Sequence, residues 1–118
     1  MATDKLTAEA LESFCGTCEY HGHWLGLQLT DGAAYLYRNG AAWLIDAIAS
    51  HQPEARRRVG DFQVWTLSVR GDRSALLECR ADAGEAVRVS QRFDWTDFPL
   101  LTVKLFVQGR VVMLSNEY

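Results

Sequence analysis

The feature that most constrains this chain is a change of hydrophobic period near residue 60. Up to about residue 58, apolar residues recur at helical spacing or fill whole turns; from Asp61 onward they alternate with polar ones. One segment cannot satisfy both patterns, because helical side chains repeat every ~3.6 residues and strand side chains every ~2. Helices followed by strands, rather than strands alternating with helices, is the order of an α+β domain.

In the first part, Thr7 is placed to cap a short helix over 8–14, with Glu9 and Glu12 near its positive end. Thr30 and Asp31 start a second helix, and Asn39-Gly40 supplies a left-handed stop. A third runs from residue 41 to about 51 and ends before Pro53, which disfavours helix at the residue preceding it. Its run AAWLIDAIAS is apolar on nearly every face, so it is predicted to be the central helix. In the second part, Trp65, Leu67 and Val69 alternate with Thr66, Ser68 and Arg70. Gly71-Asp72 is read as a two-residue hairpin loop returning into 74–80, where Ala75, Leu77 and Cys79 share a face. Further strands are predicted at 85–93, 101–107 and 111–115. The expected fold is α+β: N-terminal helices packed on an antiparallel meander of about five strands. It forms a single domain over 1–118, helical to about 58 and β-meander over 61–116.

At 118 residues the chain can bury roughly two-thirds of its unfolded surface without disulfide or metal support. Fifteen acids against twelve bases leave a net charge of −3, which suits neither a nucleic-acid binder nor a mimic of DNA. Arg56-Arg57-Arg58 is not part of a wider basic face, because residues 51–118 hold ten bases and nine acids; it reads as a solvated linker. No glycine-rich phosphate loop occurs. The longest apolar run, 41–45, is far short of the ~20 residues a membrane span needs. The opening MATDK carries an acid and no apolar stretch follows, so a signal peptide is not expected. A cytoplasmic protein with reduced thiols is the expectation, and the odd cysteine count (Cys15, Cys18, Cys79) agrees with it.

Three groups of residues could carry function. Cys15, Cys18, His21 and His23 crowd into nine residues, and two thiolates with two imidazoles can hold a tetrahedral zinc. Against zinc stands the spacing, since one residue separates the histidines where three to five are usual. A redox pair would follow a strand in a βαβ unit, and none surrounds this one. The plainer alternative is a loop of small residues whose thiols pack as small hydrophobes. Asp46 is the only polar residue between Ala41 and Ala49, so it needs a partner: His23, an arginine or backbone amides. His23 and Asp46 are accordingly read as structural polar residues. The third group is the loop Phe93-Asp94-Trp95-Thr96-Asp97-Phe98-Pro99, dense in aromatics. It either folds back over the sheet or presents Asp94, Trp95, Asp97 and Phe98, with Arg92, to a partner.

The blocks HWLGLQLTDG (23–32), AAWLIDAIASHQPE (41–54), FQVWTLSV (62–69), TDFPL (96–100) and VKLFVQGRVVML (103–114), with the ending Glu117-Tyr118, carry a resemblance. The chain resembles an uncharacterised bacterial domain-of-unknown-function family found on phages, plasmids and other mobile elements. The likeness runs from about Phe14 to Tyr118. Gly16, Thr17, Tyr20, His23 and Trp24 match its pattern, whereas Cys15 and Cys18 do not belong to it. The resemblance implies context rather than chemistry, since the family brings no catalytic residues.

The leading expectation is a non-enzymatic protein-binding module without cofactor. In that context it would inhibit a host defence component, such as a CRISPR effector, by steric capping. One alternative is a small zinc-binding protein built on Cys15, Cys18, His21 and His23. Another is a homodimeric regulatory protein that pairs through the apolar helix at 41–50.

Overall fold

A computed structural model describes residues 6–118. The architecture is α+β, with helices on one face of a single sheet. The helices are α1 (Ala8–Glu12), α2 (Asp31–Leu36), α3 (Ala42–Ser50) and α4 (Gln52–Arg58). The strands are β1 (His21–Gly22), β2 (Gln28–Leu29), β3 (Phe62–Val69), β4 (Ala75–Arg80), β5 (Val89–Phe93), β6 (Thr102–Gln108) and β7 (Val111–Leu114). No helix among the described residues is long and apolar enough to cross a membrane.

The helix starts and stops follow local chemistry. The Thr7 and Thr30 hydroxyls accept from the amides of Ala10 and Ala33, each satisfying a donor that has no partner within its helix. Gly40 breaks the chain between α2 and α3 at φ 111, a left-handed geometry that costs glycine nothing. Beyond α3 the prediction fails in one respect. Pro53 opens α4 near its first turn, where a missing amide hydrogen does no harm. Arg56, Arg57 and Arg58 therefore form the last turn of a helix, not a linker, and cations suit the negative end of its dipole.

The sheet departs further from expectation. It has seven strands in the order β1-β2-β7-β6-β3-β4-β5, and β2 lies parallel to β7, so it is mixed. The two additional strands come from the segment read as helices and loop, and at two residues each they leave no period to detect. Nor is the rest a simple meander. After the β3–β4 and β4–β5 hairpins, residues 94–101 cross back over two strands so that β6 pairs with the free side of β3. That crossing spans about 14 Å at ~4.8 Å per strand.

The crossing is anchored at the β3–β4 turn, which is also not as predicted. Arg70 and Ser74 close the turn around residues 71–73, and the left-handed residue is Arg73 (φ 72), not glycine. The Arg73 guanidinium donates to the carbonyls of Thr96 (3.0 Å) and Phe98 (2.6 Å), while its own carbonyl accepts from the Thr96 amide (2.8 Å).

Between helices and sheet lies one core. Leu44, Ile45 and Ile48 of α3 are wholly buried there with Trp65, Leu67, Leu77 and Leu105 of the inner sheet face. Burying each such side chain stabilises the fold by about 1.5–3 kcal/mol. The apolar helix thus packs on its own sheet through Leu44, Ile45, Ala47, Ile48 and Ala49, while Trp43 and Asp46 stay half-buried. A polar pair sits within this core. The amides of Gln52 and Gln63 donate to each other's oxygens (2.9 and 3.1 Å), and the Trp65 indole donates to Gln63 (2.9 Å), joining α4 to β3.

Candidate functional site

The loop from Cys15 to His23 is organised by Asp31, the first residue of α2. Its carboxylate accepts from the Cys18 amide (2.9 Å) and from His21 Nε2 (2.9 Å), and its own amide donates to the Thr17 hydroxyl (2.9 Å). The Cys18 amide and then His21 hold this carboxyl below its ordinary range. The Arg38 guanidinium donates to His21 Nδ1 (3.3 Å), so the ring bridges a cation and a carboxylate through both nitrogens.

His23 repeats this arrangement on different partners. Its side chain is 1% exposed. The Leu25 amide donates to Nδ1 (3.1 Å), which assigns the ring proton to Nε2, and Nε2 donates to Asp46 Oδ1 (2.7 Å). The same carboxylate accepts from the Trp24 indole (2.9 Å). Partial burial raises the Asp46 pKa, but the donors His23, Trp24 and Tyr37 outweigh it and leave the carboxyl below its ordinary value. The structure thus brings together His23 and Asp46, which lie 23 residues apart in the chain.

The four proposed zinc ligands are directed apart. His21 turns to Asp31 and His23 to Asp46, each with both ring nitrogens engaged, while Cys15 and Cys18 are exposed. Among the described residues no group of three or more His, Cys, Asp or Glu side chains stands close enough to hold a metal. Cys79 lies in the core, where burial pushes its thiol up to about 12. His51 stacks on Trp65 and donates to Gln91 (2.7 Å).

The aromatic loop divides into two kinds of residue. Phe98 was expected at the partner surface but is 1% exposed, edge-on to Trp43 with ring centres 6.4 Å apart. The crossing connection forces this correction: a chain passing over the end of the β3–β4 hairpin must turn one side inward, and Phe98 fills the space beneath α3. Asp94, Trp95, Asp97 and Arg92 are exposed. Trp95 is 66% exposed and borders an open cleft of about 270 Å³ with Trp43, Phe93 and Thr96. Its neighbours are fixed by Arg73, and the Thr96 hydroxyl accepts from the Phe98 amide (3.1 Å).

Two features escaped the sequence reading. Arg73 carried no signal, because nothing in a turn sequence marks an arginine as the brace of a loop more than twenty residues away. The second is a groove of about 570 Å³ between Trp24, Leu25 and the α3–α4 junction, flanked by Arg56 and Arg110. Arg56 lay in a run read as a solvated linker, and Arg110 arrives from the β6–β7 turn, so no local pattern joins them.

Fold and site together define an α+β domain whose histidines are bound into hydrogen-bonded clusters and whose two tryptophan-bearing loops are braced from beneath. The chain belongs to a family of unknown function (DUF6876), which matches residues 5–118. Neither a curated protein nor a solved structure matches it.

Proposed function

We propose that this domain is a non-enzymatic protein-binding module that docks on its partner through the Trp95 cleft. The observation that carries this reading is a largely exposed tryptophan on a loop whose backbone is clamped by Arg73 and whose next aromatic, Phe98, is locked in the core. An exposed anchor held in place loses little conformational freedom on binding, and tryptophan and arginine dominate the energetics of protein interfaces. Asp94, Asp97 and Arg92 around it supply a polar rim. On a phage or plasmid, such a module acts in the cytoplasm by capping a host defence protein and blocking its working surface. The near-neutral charge favours contact by shape over imitation of nucleic acid.

The test is affinity capture from host lysate with the wild-type chain and a Trp95→Ala variant side by side. One dominant protein at near-stoichiometric amount, lost with Trp95→Ala, is the expected result. Capture of nothing across several salt concentrations, or equal capture by both chains, would remove the basis for the proposal.

A further inference from the structure

The groove at the other end of α3 has no role in the reading above. Its apolar wall is Trp24, 69% exposed, and Leu25, 43% exposed, facing Pro53. The Trp24 ring is oriented by its indole bond to Asp46, so one edge is tied down while the rest remains open. Arg56 is positioned by a bond to the Gly109 carbonyl and a 3.4 Å contact with Asp61, whose side chain is 87% exposed. Arg110 makes no ion pair among the described residues, although the chain as a whole carries excess acid. An oriented indole beside two arginines, one unneutralised, is complementary to carboxylates flanking an apolar side chain.

We infer that this groove is a second docking site, which takes an acidic protein segment bearing an aromatic or aliphatic anchor. The anchor lies against Trp24, Leu25 and Pro53, and the flanking carboxylates meet Arg110 and Arg56. The site stands apart from the Trp95 cleft, which lies at the opposite end of α3, and the experiment below does not depend on that cleft.

The probe is a short dye-labelled peptide of glutamates around one phenylalanine, titrated by fluorescence anisotropy. The comparison ligands are its lysine-for-glutamate counterpart and a single-stranded oligonucleotide. The acidic peptide is expected to bind with an affinity that falls as salt rises. Arg110→Glu should weaken it about tenfold or more, the effect of losing one charge pair and gaining a repulsion. Trp24→Ala, checked first for an intact thermal transition, should weaken it as well. Lys104→Glu, on the outer face of the sheet, should change it less than twofold by comparison. Equal binding of the acidic and basic peptides would overturn the inference, as would tighter binding of the oligonucleotide. Indifference to Arg110→Glu, or equal loss with Lys104→Glu, would do the same.

Discussion

The two exposed tryptophans sit at opposite ends of α3 and are held by opposite means. Trp24 is fixed through its own side chain, by an indole bond to a carboxylate that also serves a buried histidine. Trp95 makes no such bond among the described residues; its loop is fixed through the backbone, by one arginine spanning the carbonyls of Thr96 and Phe98. The difference is instructive. In the first loop, orientation of the ring and stability of the fold share one carboxylate. In the second, the anchor can be altered without touching its brace, so the Trp95 surface is free to vary in identity while keeping its place.

This contrast can be broken most forcefully at Arg73. Arg73→Ala removes charged hydrogen bonds to two carbonyls of the crossing connection, and about 3 kcal/mol should be lost in a denaturant melt. Trp95 fluorescence should report a loosened loop before global unfolding. A change below ~0.5 kcal/mol would mean that Phe98 alone holds the loop.

At the other end, Asp46→Ala leaves the buried His23 N–H without an acceptor and should cost about 2 kcal/mol. Asp46 also makes this end acid-sensitive. Its folded pKa lies below the ordinary 3.8, so its contribution is fully present above that value and is lost as pH falls through the lower, folded value. Urea midpoints measured between pH 5 and 2.5 should therefore drop, and the drop should shrink in Asp46→Ala. An unchanged profile would show that Asp31 and Asp72, whose carboxyls are lowered in the same direction, carry the effect instead.

Smaller effects sharpen the comparison. Trp95→Ala should alter stability by less than about 0.5 kcal/mol, whereas Trp24→Ala, which takes a donor from Asp46, should cost somewhat more. The smallest is a matter of chemistry rather than stability. Cys15 and Cys18 should react with a thiol reagent in the native chain, and Cys79, buried and with its thiol at about 12, only on unfolding. With both imidazoles engaged, native mass spectrometry should find the chain at its metal-free mass; one zinc per chain, lost with Cys15→Ser, would restore the metal reading.

Much of the secondary structure was legible because its causes are local. Thr7, Thr30 and Gly40 cap or break the helices where their chemistry requires. The alternation through Trp65, Leu67 and Val69 marks β3, and the same rule locates β4, β6 and β7 to within a residue or two. Pro53 was ambiguous by nature, since the residue that ends one helix also suits the first turn of the next. Strands of two residues, such as β1 and β2, exist only because β7 offers an edge to pair with. Asp46 was recognisable as needing a partner, and His23 was one of several available.

Period, capping and turn chemistry along the chain were enough to establish an α+β domain, a central apolar helix and the approximate strand positions. They act over a few residues, so any copy of this sequence carries them before it folds. The strand order, the inward turn of Phe98, the Arg73 brace and the pairing of His23 with Asp46 across 23 residues arise differently. Each joins groups that become neighbours only once the sheet has assembled. Burial then decides the outcome, because a polar group taken out of water must find a partner among whatever the fold has placed beside it.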